Sequence, residues 1–137
     1  MTAFVDSSVW FSAVNGRDAQ HRRAKSILVS APALVTSNVV LAETWRLLRQ
    51  RVHFRAAEAF WRTIRRGAAQ VEIVTAGDME AAWLIGERFP DQDFSLADRT
   101  SFAMMERLHI QTAASFDDHF AIYRFGRRKS EAFEVLR

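Results

Sequence analysis

Short apolar segments alternate along the chain with longer segments in which apolar residues recur at helical spacing. The apolar segments predict strands at residues 3–6, 33–36, 71–74, 110–114 and 132–136. The intervening segments predict helices at residues 8–14, 18–29, 39–51, 55–66, 78–89 and 95–108, with a turn at 117–120. Strands that alternate with helices are typical of an α/β fold, here with a central, mainly parallel β-sheet flanked by helices on both faces.

Nothing in the sequence divides the chain. It has 137 residues with no repeat, low-complexity tract or Pro/Gly-rich linker, which predicts one domain over residues 1–137. Cysteine is absent, so disulfides and thiolate metal sites are excluded. No apolar run approaches the ~20 residues that span a bilayer, and the first residues carry no basic leader. We therefore expect a cytoplasmic protein with no membrane partner.

The basic residues are almost all arginine. Of 19 Lys and Arg residues only Lys25 and Lys129 are lysine, and the formal net charge is +3. Arginine pairs well with phosphate, although a GC-rich genome produces the same bias. Six arginines fall on two consecutive predicted helices and form either a phosphate-contacting face or a solvated one: Arg46, Arg49, Arg51, Arg62, Arg65 and Arg66.

Four carboxylates stand in apolar surroundings, in the segments AFVDSSVW, NVVLAETWRLL, FSLADRTSFAMM and TAASFDDHF. They are Asp6, Glu43, Asp98 and Asp117. A carboxylate beside a core is unfavourable unless its charge is compensated, and a divalent cation compensates several at once. Asp6 and Asp117 also follow predicted strands, whose carboxyl ends bind ligands in parallel sheets. The pattern indicates metal-dependent chemistry on a negatively charged substrate.

Each acid also has an ordinary interpretation. Asp6 is a candidate helix cap, and Glu43 is a candidate surface residue paired with Arg46. Asp98 has the spacing of a capping box with Ser95.

Neighbouring residues leave the assignment open at three more places. Asp118 competes with Asp117 for the same role, and the loop acids Asp91 and Asp93 precede the predicted helix at 95–108. His119 is a candidate for phosphate contact, with a surface or capping role as the alternative.

The order of the four acidic segments resembles the PIN-domain nucleases, and more narrowly the VapC-type toxins of type II toxin–antitoxin pairs. The resemblance extends from Asp6 to about Phe120. By position, the four acids match the acidic quartet of that family, and Ser115 matches the Ser or Thr two residues before the last acid. The resemblance implies that Asp6, Asp98 and Asp117 bind metal and that Glu43 orients the attacking water or binds a second metal.

The resemblance further implies an Mg²⁺- or Mn²⁺-dependent endoribonuclease that hydrolyses RNA phosphodiester bonds. Its implied partners are an RNA substrate and a cognate antitoxin that inhibits it, and its implied assembly is a homodimer or a larger toxin–antitoxin complex. The alternatives are a housekeeping RNA-processing nuclease without antitoxin and a catalytically silent RNA-binding module. The presence of all four acids weighs against the silent module.

Overall fold

A five-stranded parallel sheet forms the centre of the computed structural model, which describes residues 1–137. The strands are β1 (Thr2–Val5), β2 (Ala33–Ser37), β3 (Gln70–Glu72), β4 (Thr112–Ala114) and β5 (Glu134–Leu136). Their order in the sheet is β3-β2-β1-β4-β5, and every neighbouring pair is parallel. The α/β architecture predicted from the sequence is confirmed.

Seven helices connect the strands. They are α1 (Ser7–Val14), α2 (His21–Ser30), α3 (Asn38–Arg51), α4 (Phe54–Thr63), α5 (Ala76–Arg88), α6 (Leu96–Leu108) and α7 (His119–Ile122). The first six pack as pairs that follow the chain, α1 with α2, α3 with α4 and α5 with α6. None of the helices has the length and apolar character needed to cross a membrane.

The core is built on the two central strands. Phe4 and Val5 of β1 and Ala113 and Ala114 of β4 are fully buried. Strands that are covered on both faces carry continuous apolar residues, which explains why the pattern does not alternate. Phe102 of α6 stacks on Tyr123 with ring centroids 4.3 Å apart, and this contact anchors α6 against the chain that follows α7.

Most helix boundaries lie close to the predicted ones, with two informative differences. Ser37 caps α3, which begins one residue before the predicted range, because its hydroxyl accepts the N–H of Val40 at 3.0 Å. The helix predicted from residue 18 begins later: the carboxylate of Asp18 accepts the N–H of Gln20 within a turn, and α2 begins at His21. The helix predicted to reach residue 66 continues beyond α4 as a π-helical turn, which Gly67 closes at a φ of 101°.

The strand order reverses beside β1. The chain runs outward from β1 to β2 and β3, then returns to the other side of β1 with β4 and β5. In parallel sheets the carboxyl ends of the strands at such a reversal form a crevice that binds ligands. Asp6 lies there, directly after β1, and its N–H donates to the carbonyl of Ala114 in β4 at 3.0 Å.

Candidate active site

Asp6 is held by two serine hydroxyls at the carboxyl ends of β1 and β4. It occupies the cap position of α1, yet its side chain makes no capping hydrogen bond. Instead, Ser8 Oγ and Ser115 Oγ each donate to Asp6 Oδ2 at 2.9 Å. The residue is only 4% exposed. The carboxylate is therefore fixed by side chains from two separate strand ends, and Ser115 contacts it directly.

The environment of Asp6 disfavours its charge. Burial is the main cause that raises the pKa of Asp6, from 3.8 to about 6, and the charge of Asp98 raises it further. The hydrogen bonds from Ser8 and Ser115 oppose this rise in pKa but do not cancel it. A positive charge beside this carboxylate would relieve the cost.

Asp98 takes part in a helix cap and also belongs to an acidic cluster with Asp6, Glu43 and Asp117. The N–H of Asp98 donates to Ser95 Oγ and the N–H of Ser95 donates to Asp98 Oδ2, both at 3.0 Å, so the predicted capping box is present. Asp98 Oδ2 also lies 2.7 Å from His119 Nδ1. The residue is 6% exposed. The cap thus fixes the carboxylate at the start of α6 without removing it from the cleft.

The two adjacent aspartates after β4 point to different partners. Asp117 Oδ1 accepts the N–H of His119 at 2.8 Å and lies 3.3 Å from His119 Nδ1. The side chain of Asp118 is 77% exposed and pairs with Arg137 at 2.8 Å. Asp117 is therefore the aspartate of this pair that lies beside Asp98.

His119 links the two carboxylates and is the site residue that sequence reasoning largely missed. Burial lowers the pKa of His119, but the hydrogen bond that His119 donates to Asp98 and the charges of Asp117, Asp98 and Asp93 outweigh it, so the pKa is raised. Candidate ligand atoms of Asp98, Asp117 and His119 all lie within 4.8 Å of one another. The sequence indicated only that His119 lies two residues after Asp117 and so close to that acid. Its contact with Asp98 depends on the tertiary approach of α7 to α6.

Glu43 reaches the same electrostatic environment from α3. It is half-buried, and burial is the main cause that raises its pKa. The charges of Asp98 and Asp117 raise the pKa of Glu43 further, while a hydrogen bond from Ser7 and the charge of Arg46 lower it. Glu43 is thus close enough to two members of the quartet to share their charge repulsion. Its predicted pairing with Arg46 accounts for only part of its surroundings.

The remaining candidates lie outside this cluster. Asp91 and Asp93 are exposed loop residues, although the charge of Asp93 contributes to the raised pKa of His119. The six arginines predicted to form a phosphate-contacting or solvated face are all exposed: Arg46, Arg49, Arg51, Arg62, Arg65 and Arg66.

The chain belongs to the PIN-domain family, whose model matches residues 3–126. It is a ribonuclease of the VapC type, and the resemblance predicted from the sequence is confirmed. Over 123 residues it is 42% identical to the 23S rRNA-specific endonuclease VapC20 of Mycobacterium tuberculosis, with 89% of this chain and 94% of that protein covered.

Two solved structures support the assignment of the fold. The crystal structure of M. tuberculosis VapC20, described as a sarcin–ricin loop cleaving toxin, superposes with a TM-score of 0.82 at 41% identity and covers 88% of this chain and 93% of VapC20. A toxin–antitoxin complex from Klebsiella pneumoniae gives a TM-score of 0.63 at 14% identity, covering 85% of this chain and 87% of that one. The second likeness is one of fold alone.

Proposed function

We propose that this protein is a toxin that hydrolyses a phosphodiester bond of 23S rRNA, with Asp6, Glu43, Asp98 and Asp117 as its catalytic residues. The observation that carries the proposal is the convergence of acids from four separate segments at the reversal of strand order, where burial and mutual repulsion raise the pKa of Asp6 and Glu43. The choice of 23S rRNA, and of its sarcin–ricin loop, rests on the likeness to VapC20.

The residues present fit a divalent cation. Asp6, Asp98 and Asp117 offer carboxylate oxygens, which Mg²⁺ and Mn²⁺ prefer, and the raised pKa of Asp6 reflects a charge that lacks compensation. These three would hold the cation, and Glu43 would hold a second one or orient the attacking water. A bound cation supplies charge neutralisation and Lewis-acid polarisation at the phosphate.

The protein's own groups contribute positioning and proton transfer. Ser8 and Ser115 fix the Asp6 carboxylate, and the capping box fixes that of Asp98, so both are positioned to bind a cation without reorganising. The raised pKa of Glu43 makes this side chain a suitable acceptor for the proton of the attacking water.

The central experiment compares two aspartates that differ in their surroundings. An RNA hairpin with the sarcin–ricin loop sequence is incubated with EDTA-treated protein to which Mg²⁺ or Mn²⁺ is restored. We expect wild type and Asp118→Asn to cleave at one position and Asp6→Asn to lose cleavage, with unchanged circular dichroism. Full cleavage by Asp6→Asn, with a mock purification excluding contaminating nuclease, would overturn the assignment. Cleavage of other RNAs but not this hairpin would overturn the substrate alone.

The toxin role implies a cognate antitoxin, which is supported by the description of VapC20 as a toxin and by the fold shared with a toxin–antitoxin complex. Expression of the wild-type chain should arrest bacterial growth, whereas Asp6→Asn should not. Co-expression of a cognate antitoxin should restore growth. Growth unaffected by soluble, active enzyme would favour a housekeeping RNA-processing nuclease.

A further inference from the structure

A cleft of about 470 Å³ opens between α5 and the start of α6, beside the acidic cluster. Its lining includes Trp83, Gly86, Glu87, Asp93, Phe94 and Arg99. Phe94 connects the cleft to the acidic cluster, because its ring packs edge-on against His119 with centroids 5.1 Å apart. Arg99 directly follows Asp98 in α6. The cleft therefore adjoins the acidic cluster through Phe94 and the first turn of α6.

Arg99 is a cation without a protein partner. Its Nε is buried and has no hydrogen-bond partner, and the side chain takes part in none of the ion pairs of the protein. The guanidinium lies across Gly86 of α5 so closely that a Cβ at that position would overlap it. Arg99 is half-buried and lines the cleft, and a partly buried cation without an acceptor is costly, so an acceptor on a ligand is its natural partner.

The chemistry around Arg99 favours a nucleobase over a phosphate. Trp83 is 64% exposed and lies one helical turn before Gly86, where its ring offers a stacking surface for an unpaired base. Glu87 and Asp93 line the same cleft, where their charges repel phosphate but accept hydrogen bonds from base N–H groups. Guanine presents both the acceptors that arginine recognises and the donors that a carboxylate recognises.

We propose that this cleft is a nucleobase subsite, which holds an unpaired base of the RNA next to the scissile phosphate. The base stacks on Trp83 and accepts hydrogen bonds from Arg99, and guanine is the preferred base. The subsite deepens the proposed function, on which it rests, by giving the enzyme a means to select where it cuts.

The first experiment tests whether Trp83 contacts a base beside the cut. Cleavage of the sarcin–ricin hairpin is compared with hairpins that are abasic at the nucleotide on either side of the cut. One of the two abasic hairpins should be cleaved about 10-fold more slowly by the wild type. Trp83→Ala should slow cleavage of the intact hairpin by a similar factor. Trp83→Ala acting on that abasic hairpin should be little slower than either change alone, because both remove the same contact. Trp61→Ala and Arg22→Gln, which alter exposed side chains elsewhere, should behave as wild type.

A glycine substitution perturbs Arg99 without removing it. In Gly86→Ala the new methyl group displaces the guanidinium, and alanine favours the helix. Gly77→Ala in the same helix is the matched control, because its Cβ would come no closer than 3.6 Å to Thr75 Oγ1. Gly86→Ala should reproduce the loss seen with Arg99→Gln, and Gly77→Ala should not.

A binding measurement tests the subsite without any cleavage of RNA. GMP, AMP, CMP, UMP and inorganic phosphate are each titrated against the tryptophan fluorescence of the wild type. GMP should quench most strongly, the quench should disappear in Trp83→Phe and weaken in Arg99→Gln, and phosphate alone should have no effect.

Three results would overturn the subsite: no quench by any nucleotide, independent effects of Trp83→Ala and the abasic substitution, or a Trp83→Ala phenotype explained entirely by a change of oligomeric mass in light scattering. If the wild type does not cleave the hairpin while GMP still binds as described, the subsite stands and the proposed substrate is wrong.

Discussion

The Asp6 carboxylate lies where its charge is least favourable and where the proposed reaction needs it. Three hydroxyl or carboxyl groups surround it, from Ser8, Ser115 and Asp98, and burial still dominates its pKa. A group whose ionised form is disfavoured in the folded state reduces stability once it ionises. The site is therefore a source of instability until a cation compensates its charge.

Replacing Asp6 by Asn should stabilise the cation-free protein at neutral pH. The pKa of Asp6 rises from 3.8 to about 6 on folding, so the ionisation cost is absent below about pH 4, grows up to about pH 6 and is constant above. A shift of this size corresponds to about 3 kcal/mol. Urea unfolding in EDTA should give Asp6→Asn up to that advantage at pH 7.5 and only a small part of it at pH 4. Equal stability of the two proteins at pH 7.5 would contradict the role of burial.

Ser115 should set the acidic limit of activity. Its hydrogen bond lowers the pKa of Asp6, so Ser115→Ala should raise that pKa and move the acidic limb of the pH–rate profile to higher pH. The control is Ser101→Ala, which also removes a buried hydroxyl but one that donates to the carbonyl of Ala97. An unmoved limb in Ser115→Ala, or the same movement in Ser101→Ala, would rule out this role.

At the scale of elements, α5 and α6 begin with the same local motif and use it differently. Thr75 and Asp78 form a capping box at α5, as Ser95 and Asp98 do at α6. Arg107 binds both oxygens of Asp78 at 2.9 Å, and its hydrogen bond is the main cause that lowers the pKa of Asp78. The spacing predicts the cap in both helices, but only the distant partner distinguishes a structural aspartate from one in the site.

The two caps give a matched pair of substitutions. Ser95→Ala and Thr75→Ala each remove one capping hydroxyl and should each lower the free energy of unfolding by about 1 kcal/mol. Only Ser95→Ala should also lower the cleavage rate, because loss of the hydroxyl that accepts the N–H of Asp98 loosens the first turn of α6, from which the Asp98 carboxylate projects. Chemical denaturation and hairpin cleavage of both variants provide the measurement. Equal loss of activity in the two would mean that the rate follows stability and not the position of Asp98.

At the scale of the whole molecule, the apolar segments of the sequence predicted every strand and six of the seven helices. Strand ends were less accurate: the third strand was expected at 71–74 and lies at Gln70–Glu72. Apolar runs continue past the paired residues, and pairing with a neighbour decides where a strand ends. The contact of His119 with Asp98 was not predictable, since it joins residues 21 apart through packing and not through periodicity.

A divalent cation should raise the thermal stability of the whole molecule. Binding to the folded state alone adds about 2.7 kcal/mol at a concentration 100 times the Kd, or roughly 8 °C in Tm for a chain of this size. Differential scanning fluorimetry should show this rise for wild type and Asp118→Asn in Mn²⁺, and much less for Asp6→Asn. A rise of the same size in Asp6→Asn would place the cation elsewhere.

The reversal of strand order has a consequence for protein synthesis. β1 lies between β2 and β4, so the first strand to leave the ribosome gains its second neighbour only when the fourth strand has been made. The residues of the acidic cluster are likewise spread along the chain from Asp6 to Asp117. A nascent chain can form β1, β2 and β3 and still lack Asp117 and Ser115. The cell therefore has almost the whole time of translation before the acidic cluster is complete.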